Sequence, residues 1–360
     1  MISVSRIIAF AFLASYPCEA QLIKVPQAAS PAAMASQTIG ISTITVKYGR
    51  PAVKGRLVWG ALVPYGLNIQ QQLGPGNPAP WRAGANENTT ITLSHDAKVE
   101  GAAVPAGTYG LFFVINADNT GEMILSKNNK SWGSFFYDSK EDQMKAPIRV
   151  RENNFVELLT YDFINLRKTS CELVLNWEKK QFPVTIEFAV DEIVMATAKE
   201  ELQGPVGFNS DAYIEAAFYS FQNNIDLEQG MKWIDQALAM EPTNFDAIRV
   251  KSRILVRNGN GTEGEKLVND ALQSASENDI TNYGYQLMQA LGLYDKAIRV
   301  LSIGTQRFPK SPNAWDSLGE AYALKGDKEN AIKSFKKALT LNPPPFVKAN
   351  SEKYLKQLAP

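Results

Sequence analysis

The stretch Pro312-Asn313-Ala314-Trp315-Asp316-Ser317-Leu318-Gly319-Glu320-Ala321-Tyr322 decides how the rest of the chain is read. Ala331, Phe335, Ala338 and Pro343 follow it at fixed offsets, closing a unit of about 34 residues, the length of two antiparallel helices and their turns. The small residues let the two helices approach closely. The aromatics fill the gap to the neighbouring pair, so such units stack into a solenoid. Earlier copies are marked by Ala297 and Pro309, by Gly264 and Ala271, and by Ala237 and Pro242. The repeats are therefore placed at 211–345. Residues 346–360, with Lys348, Glu352, Lys353 and Lys356 on a polar side, form a solvating cap helix.

The pattern is that of tetratricopeptide repeats, which resemble scaffolds for a protein or peptide partner. The first helix of each pair lines their groove. Projected onto this chain, that frame places Glu215, Tyr219, Arg249, Arg253, Asn282, Gln286, Asp316 and Glu320 on a mixed, amide-rich surface. Gly259-Asn260-Gly261-Thr262-Glu263-Gly264 has the spacing of a dinucleotide loop. It lies between two helices, whereas a pyrophosphate cradle needs a strand before it, so it reads as an inter-helix turn.

Upstream the period changes. Residues 191–210 read as a connecting helix and linker carrying Gly204-Pro205, and 35–190 alternate with period two. Strands are expected at 43–48, 89–94, 109–115, 122–126, 155–163, 171–177 and 184–190, separated by turn-forming stretches such as Asp118-Asn119-Thr120-Gly121. Short strands without intervening helices predict an antiparallel β-sandwich or barrel. The fold class is thus multidomain, β followed by an α-helical tetratricopeptide-like solenoid. Gly74-Pro75-Gly76-Asn77-Pro78-Ala79-Pro80 reads as a surface loop.

At the N-terminus, Arg6 precedes an apolar run from Ile7 to Ala14, and Cys18-Glu19-Ala20 offers a small-residue cleavage site. Residues 1–20 read as a cleaved signal peptide, which predicts export to the periplasm or beyond, and 21–34 as a flexible segment. No later stretch is long and apolar enough to span a membrane. After cleavage Cys171 has no partner for an intramolecular disulfide, and its apolar neighbours make it a buried strand residue.

In 360 residues, 37 Lys and Arg balance 37 Asp and Glu, without the basic excess that drives nucleic-acid binding. One His and two Cys exclude most zinc sites and any two-imidazole mechanism. His95, between Ser94 and Asp96, reads as a turn histidine, because adjacent strand residues face opposite ways. No metal site, cofactor or catalytic residue is expected, and a non-enzymatic binding protein is the favoured reading. The alternative is a hydrolase-like, saccharide-acting enzyme built on the polar cluster around Trp81-Glu87. There Trp81, Arg82, Asn86 and Glu87 lie close in sequence, with Arg50 and Arg56 in a second cluster upstream. If the clusters meet across the sheet, an arginine pairs with Glu87, or Arg and Trp hold a carboxylate or sugar ligand.

The order of these clusters also resembles a known family. Ala35-Ser36-Gln37-Thr38-Ile39-Gly40, Tyr48-Gly49-Arg50-Pro51, Leu62-Val63-Pro64-Tyr65-Gly66, Trp81 to Glu87 and Pro105-Ala106-Gly107-Thr108-Tyr109 look like the exported bacterial domain-of-unknown-function family 2911 over residues 30–190. The resemblance implies export and a helical extension, and no activity. One departure stands out. In the family the Pro-Tyr-Gly segment runs almost directly into Trp-Arg, and here 67–80 intervene.

Overall fold

A computed structural model describes residues 29–69 and 76–359. The expected signal peptide over 1–20, most of the 21–34 segment and Gly74-Pro75 lie outside them. The chain divides into two units, one ending at Val190 and one beginning at Asp191.

In the first unit the strands are β1 (Ala32–Ile39), β2 (Ser42–Gly49), β3 (Asn68–Ile69), β4 (Pro78–Ala79), β5 (Thr90–Leu93), β6 (Ala97–Val99), β7 (Ala102–Val104), β8 (Gly107–Ile115), β9 (Thr120–Ser126), β10 (Asp142–Arg149), β11 (Arg151–Ile164) and β12 (Ser170–Glu187). A six-stranded sheet runs β1-β2-β5-β8-β9-β10 and a four-stranded sheet β11-β12-β6-β7. The named pairings are antiparallel, as the period-two pattern requires. Ile44 and Val46 sit opposite Leu93 and Ile91, so the apolar halves of two alternating strands meet on one face. β8 is buried without alternation from Tyr109 to Phe113, as a central strand is. Aromatic contacts cross from one sheet to the other, Tyr48 to Tyr161 at 4.7 Å and Phe113 to Phe182 at 5.2 Å. The architecture is therefore a sandwich with its core between the sheets.

Three expectations need correction. Residues 32–34 belong to β1, because their backbone pairs with β2 from Ala32 opposite Gly49 to Ile39 opposite Ser42. The two strands expected at 171–177 and 184–190 are one strand, β12. It passes through the left-handed Glu178 (φ 55°), where its pairing with β11 shifts, and ends at Glu187 before a helix opens at Val190. β10 was not expected, because Lys145-Ala146-Pro147 alternates too weakly to stand out from a turn.

The 67–80 insertion does not part the two segments it separates. Gly66 N–H donates to Ile115 O and Trp81 N–H to Phe113 O, both at 2.9 Å, so both are anchored on β8. Within the insertion, Asn68–Ile69 and Pro78–Ala79 pair as a two-stranded ribbon.

The second unit holds α1 (Val190–Glu201), α2 (Ser210–Asn223), α3 (Leu227–Met240), α4 (Phe245–Arg257), α5 (Gly261–Leu272), α6 (Glu277–Tyr285), α7 (Tyr294–Arg307), α8 (Pro312–Lys325), α9 (Lys328–Thr340) and α10 (Pro345–Leu358). From α2 on, consecutive helices pair as the repeat predicts, with α10 after the last pair. Side-chain caps open several of the helices, though not α5, α7 or α10. Asn244, Ser311 and Asp327 each accept from a backbone N–H three residues on, and Ser276 with Asp279 closes a capping box. The repeat's small residues have a visible cause. A Cβ on Gly319 would stand 2.8 Å from the ring of the fully buried Phe335, and one on Gly264 would stand 2.7 Å from Ser252 O. Gly264 thus serves packing within α5, and the turn expected over 259–264 shrinks to Gly259-Asn260, with Gly259 at φ 91°, because the helix already opens at Gly261.

Candidate functional site

The sandwich carries a cavity of about 450 Å³, a size suited to a small ligand. Its apolar wall begins with an aromatic cluster. Trp81 stacks on Trp177 at 5.8 Å and 16°, and Trp59 meets Trp81 edge-on at 5.7 Å. Phe182 closes the cluster from below, 5.3 Å from Trp59 and 6.0 Å from Trp81. Trp81 is pinned because its N–H and C=O both pair with Phe113. Arg82 follows it onto the cavity rim.

Arg82 is held from two sides. Its Nη1 donates to Asn86 O at 2.7 Å, and its guanidinium lies 5.0 Å from the centre of the Phe135 ring. Gly133 approaches so closely that a Cβ there would stand 2.3 Å from Arg82 Cζ, and its φ of 58° also favours glycine. Burial pushes the guanidinium below its ordinary value, and no carboxylate among the described residues pairs with it. Lys54 and Arg56 stand on the same cavity, and none of its lining residues among those described is acidic. Arg56 turns its Nε and Nη2 onto the carbonyls of Val53 and Ala52, bracing its own loop.

Trp177 is 1% exposed and lines the cavity, yet its Nε1–H has no acceptor among the described residues. A buried donor left unpaired costs about 1–3 kcal/mol. By contrast, Trp59 Nε1–H donates to Glu178 at 3.2 Å.

Of the six residues expected to hold a ligand, Arg56, Trp81, Arg82 and Asn86 share this cavity. Arg50 does not. Its Nε donates to Leu159 O and its Nη2 to Thr160 Oγ1, so it braces β11. Glu87 is exposed in a separate depression with Met34, Lys47 and Tyr48, and it pairs with none of the three arginines. The expected Arg–Glu87 pairing is therefore absent, because Glu87 follows the left-handed Asn86 (φ 64°) and lies on the other side of the turn. Sequence reading missed Gly133, Ser134 and Phe135, which lie some fifty residues beyond Arg82. The signal they carry is a glycine beside aromatics in a loop.

His95 Nδ1 lies 2.9 Å from Ser94 Oγ, and Asp96 is engaged by Ala106 N–H, so the three form no triad. Burial lifts the Cys171 thiol to about 11, which keeps it protonated and unreactive. No cluster of three metal-ligating side chains occurs among the described residues.

The helical unit has its own concavity, about 650 Å³, near the α4–α5 and α6–α7 turns. Val256, Leu291 and Leu293, at 50%, 55% and 44% exposure, open onto it. Arg253, Arg257, Lys296 and Arg299 surround it against one acid, Glu265, which pairs with Lys296 at 2.6 Å. Arg253 lies over Phe218 and Phe221, and Arg257 over Phe221 at 4.1 Å. The local backbone departs from the regular repeat here, because α6 runs into a π-turn at Gln286–Ala290.

Among the expected groove residues, Arg253 alone reaches this concavity. Arg249 and Gln286 bond to each other, and Arg249 also pairs with Asp246. Tyr219 donates to Asp191 at 2.7 Å, and burial with that carboxylate pushes its hydroxyl up to about 12. Glu215 and Asn282 are exposed. Asp316 and Glu320 are not on an open groove. They are 4% and 9% exposed, covered by α10, whose Asn350 donates to both and whose Ser351 donates to Asp316. Burial pushes both carboxyls above their ordinary values. The projection failed there because the cap helix packs on the first helix of the last pair.

The fold thus defines a β-sandwich unit followed by a tetratricopeptide-type helical array. Residues 30–186 match the family model described as "Protein of unknown function (DUF2911)", and residues 312–345 match a tetratricopeptide repeat, in agreement with both sequence resemblances. Superkiller protein 3 of Schizosaccharomyces pombe is 26% identical over 141 residues, 37% of this chain and 10% of its own length. Superkiller complex protein 3 of Mus musculus is 44% identical over 52 residues, 14% of this chain and 3% of its own. The chain therefore spans a tenth or less of these relatives. Among solved structures, YrrB, titled a TPR protein with an unusual peptide-binding site, aligns at 19% identity and TM-score 0.27, covering 45% of this chain and 84% of its own. MamA aligns at 19% and 0.26, covering 42% and 89%.

Proposed function

We propose that the protein is an exported, non-enzymatic binding scaffold, whose helical unit takes an acidic peptide segment with apolar anchors and whose β unit holds a small ligand. The observation that carries the reading is the clustering of exposed Val256, Leu291 and Leu293 in one concavity ringed by Arg253, Arg257 and Arg299. Exposed apolar side chains gathered in a cleft mark a binding surface. The cationic surplus around them selects acidic partners. Export rests on the N-terminal pattern of residues 1–20. A carboxylate mechanism at Glu87 finds no support in a site where Glu87 stands apart from Trp81 and Arg82.

The test is selection of displayed peptides on the full chain, then anisotropy with the enriched sequences. Acidic peptides carrying Leu or Phe should enrich, and Leu291→Asp or Arg253→Glu should weaken them at least tenfold. Enrichment of basic peptides, or binding indifferent to both variants, overturns the reading. A phosphatase fused after residue 20 should be active outside the cytoplasm.

A further inference from the structure

The sandwich cavity supplies donors and positive charge without matching acceptors. Arg82 has no carboxylate partner among the described residues and has committed only Nη1, to Asn86 O. The Trp177 indole N–H is buried and has no acceptor among the described residues. Lys54 and Arg56 add charge at the same opening. The nearby acids are engaged elsewhere, with Glu157 accepting from the Lys54 backbone N–H and Glu178 from Trp59 Nε1 and Lys179 N–H. The same cavity has an apolar part, formed by Trp81, Leu62, Val63 and Pro64.

We infer that this cavity binds a small organic carboxylate, its acid group on Arg82 and its ring body against Trp81, with an acceptor atom on the Trp177 indole N–H. A planar carboxylate matches the edge of a guanidinium whose face already rests on Phe135. A flat ring completes the aromatic stack begun by Trp81 and Trp177. The volume of about 450 Å³ admits one ring with substituents, or two. A fully hydrated inorganic anion would leave the tryptophan wall unused.

The inference deepens the small-ligand part of the function proposed above and is independent of the helical unit. Its probes are benzoate and glucuronate, their neutral partners benzyl alcohol and glucose, and inorganic phosphate. Each is titrated into the full chain by calorimetry and by the fluorescence of the tryptophan cluster. At least one acid should bind tenfold more tightly than its neutral partner. The benzoate and glucuronate arms decide whether the body is aromatic or a sugar ring. Arg82→Gln should abolish that preference, and Arg82→Lys should restore part of it. If Arg82→Gln does not fold, Lys54→Gln, an exposed change, should still lower affinity severalfold. Equal binding of acids and neutral partners overturns the inference. So does unchanged affinity in the Arg82 and Lys54 variants, tighter binding of phosphate than of both acids, or no binding of either acid at millimolar concentration. Leu291→Asp, which tests the helical surface, should leave the titration unchanged, so failure of one reading is distinguishable from failure of the other.

Discussion

The two concavities of this protein are both cationic, and they are built in opposite ways. The sandwich cavity gathers residues far apart in sequence: Arg56, Trp81 with Arg82, Ser134 and Trp177 come from different strands and loops. The helical concavity draws on neighbouring helices of a stack, from Phe221 to Ile303, each contributing at helical spacing. In the first, position comes from an aromatic core between two sheets. In the second, it comes from small residues that let adjacent helices close on each other. A site of the first kind is vulnerable to any change in the core beneath it, and one of the second kind to changes in its own or adjoining helices.

Core truncation should give the largest effects on both sides. Phe182 is fully buried beneath Trp59, Trp81 and Phe113, and Phe335 is fully buried between Gly319 and Tyr354. Phe182→Ala and Phe335→Ala should each cost about 3–5 kcal/mol in denaturant unfolding. Phe182→Ala alone should alter the near-ultraviolet signal of the tryptophan cluster. If Phe335→Ala alters it equally, the contrast between a core-dependent and a locally built site fails.

Gly133→Ala should come next, at about 1–3 kcal/mol, because the added Cβ meets the Arg82 guanidinium at a positive φ. Unchanged stability would show that Arg82 moves aside freely and is not positioned by this loop. Asp327→Ala removes the side chain that accepts the Asn330 N–H at the start of α9 and should cost about 1 kcal/mol by thermal unfolding.

The smallest effect concerns pH. Glu320 has its carboxyl raised in the folded state by burial and by nearby Asp316, so folding favours its protonated form. Its contribution to stability is fully present below the unfolded-state carboxyl range and is lost as pH rises through the raised folded value. Glu320→Gln removes that loss. The variant should therefore gain stability relative to the parent as pH rises from about 4 to neutrality, read as the difference in urea midpoints. A difference that stays flat would show that Glu320 is charged and comfortable under α10.

Much of this was legible in the chain. The repeat could be read because each helix pair satisfies itself within about 34 residues, so Trp315, Gly319, Phe335 and Pro343 carry their reasons locally. Strands β2 and β5 were legible for the same reason: Ile44, Val46, Ile91 and Leu93 announce one buried face. β10 and the continuity of β12 were not. Pro147 and the polar run through Lys179 look like turn residues until partner strands supply their hydrogen bonds. Trp81, Arg82 and Asn86 were recognised from their polar density, whereas the same density misled at Glu87, which the left-handed Asn86 turns away.

The sequence alone determined the two periods, their order, the charge balance and the scarcity of His and Cys, since each is a property of neighbours or of composition. Only the tertiary structure decided that Asp316 and Glu320 are sealed under α10 and that Glu87 stands apart from Arg82. It alone left the Trp177 indole without an acceptor among the described residues, on a cavity that three cations share. Those outcomes depend on which distant backbone arrives at a side chain, and no local pattern encodes that arrival.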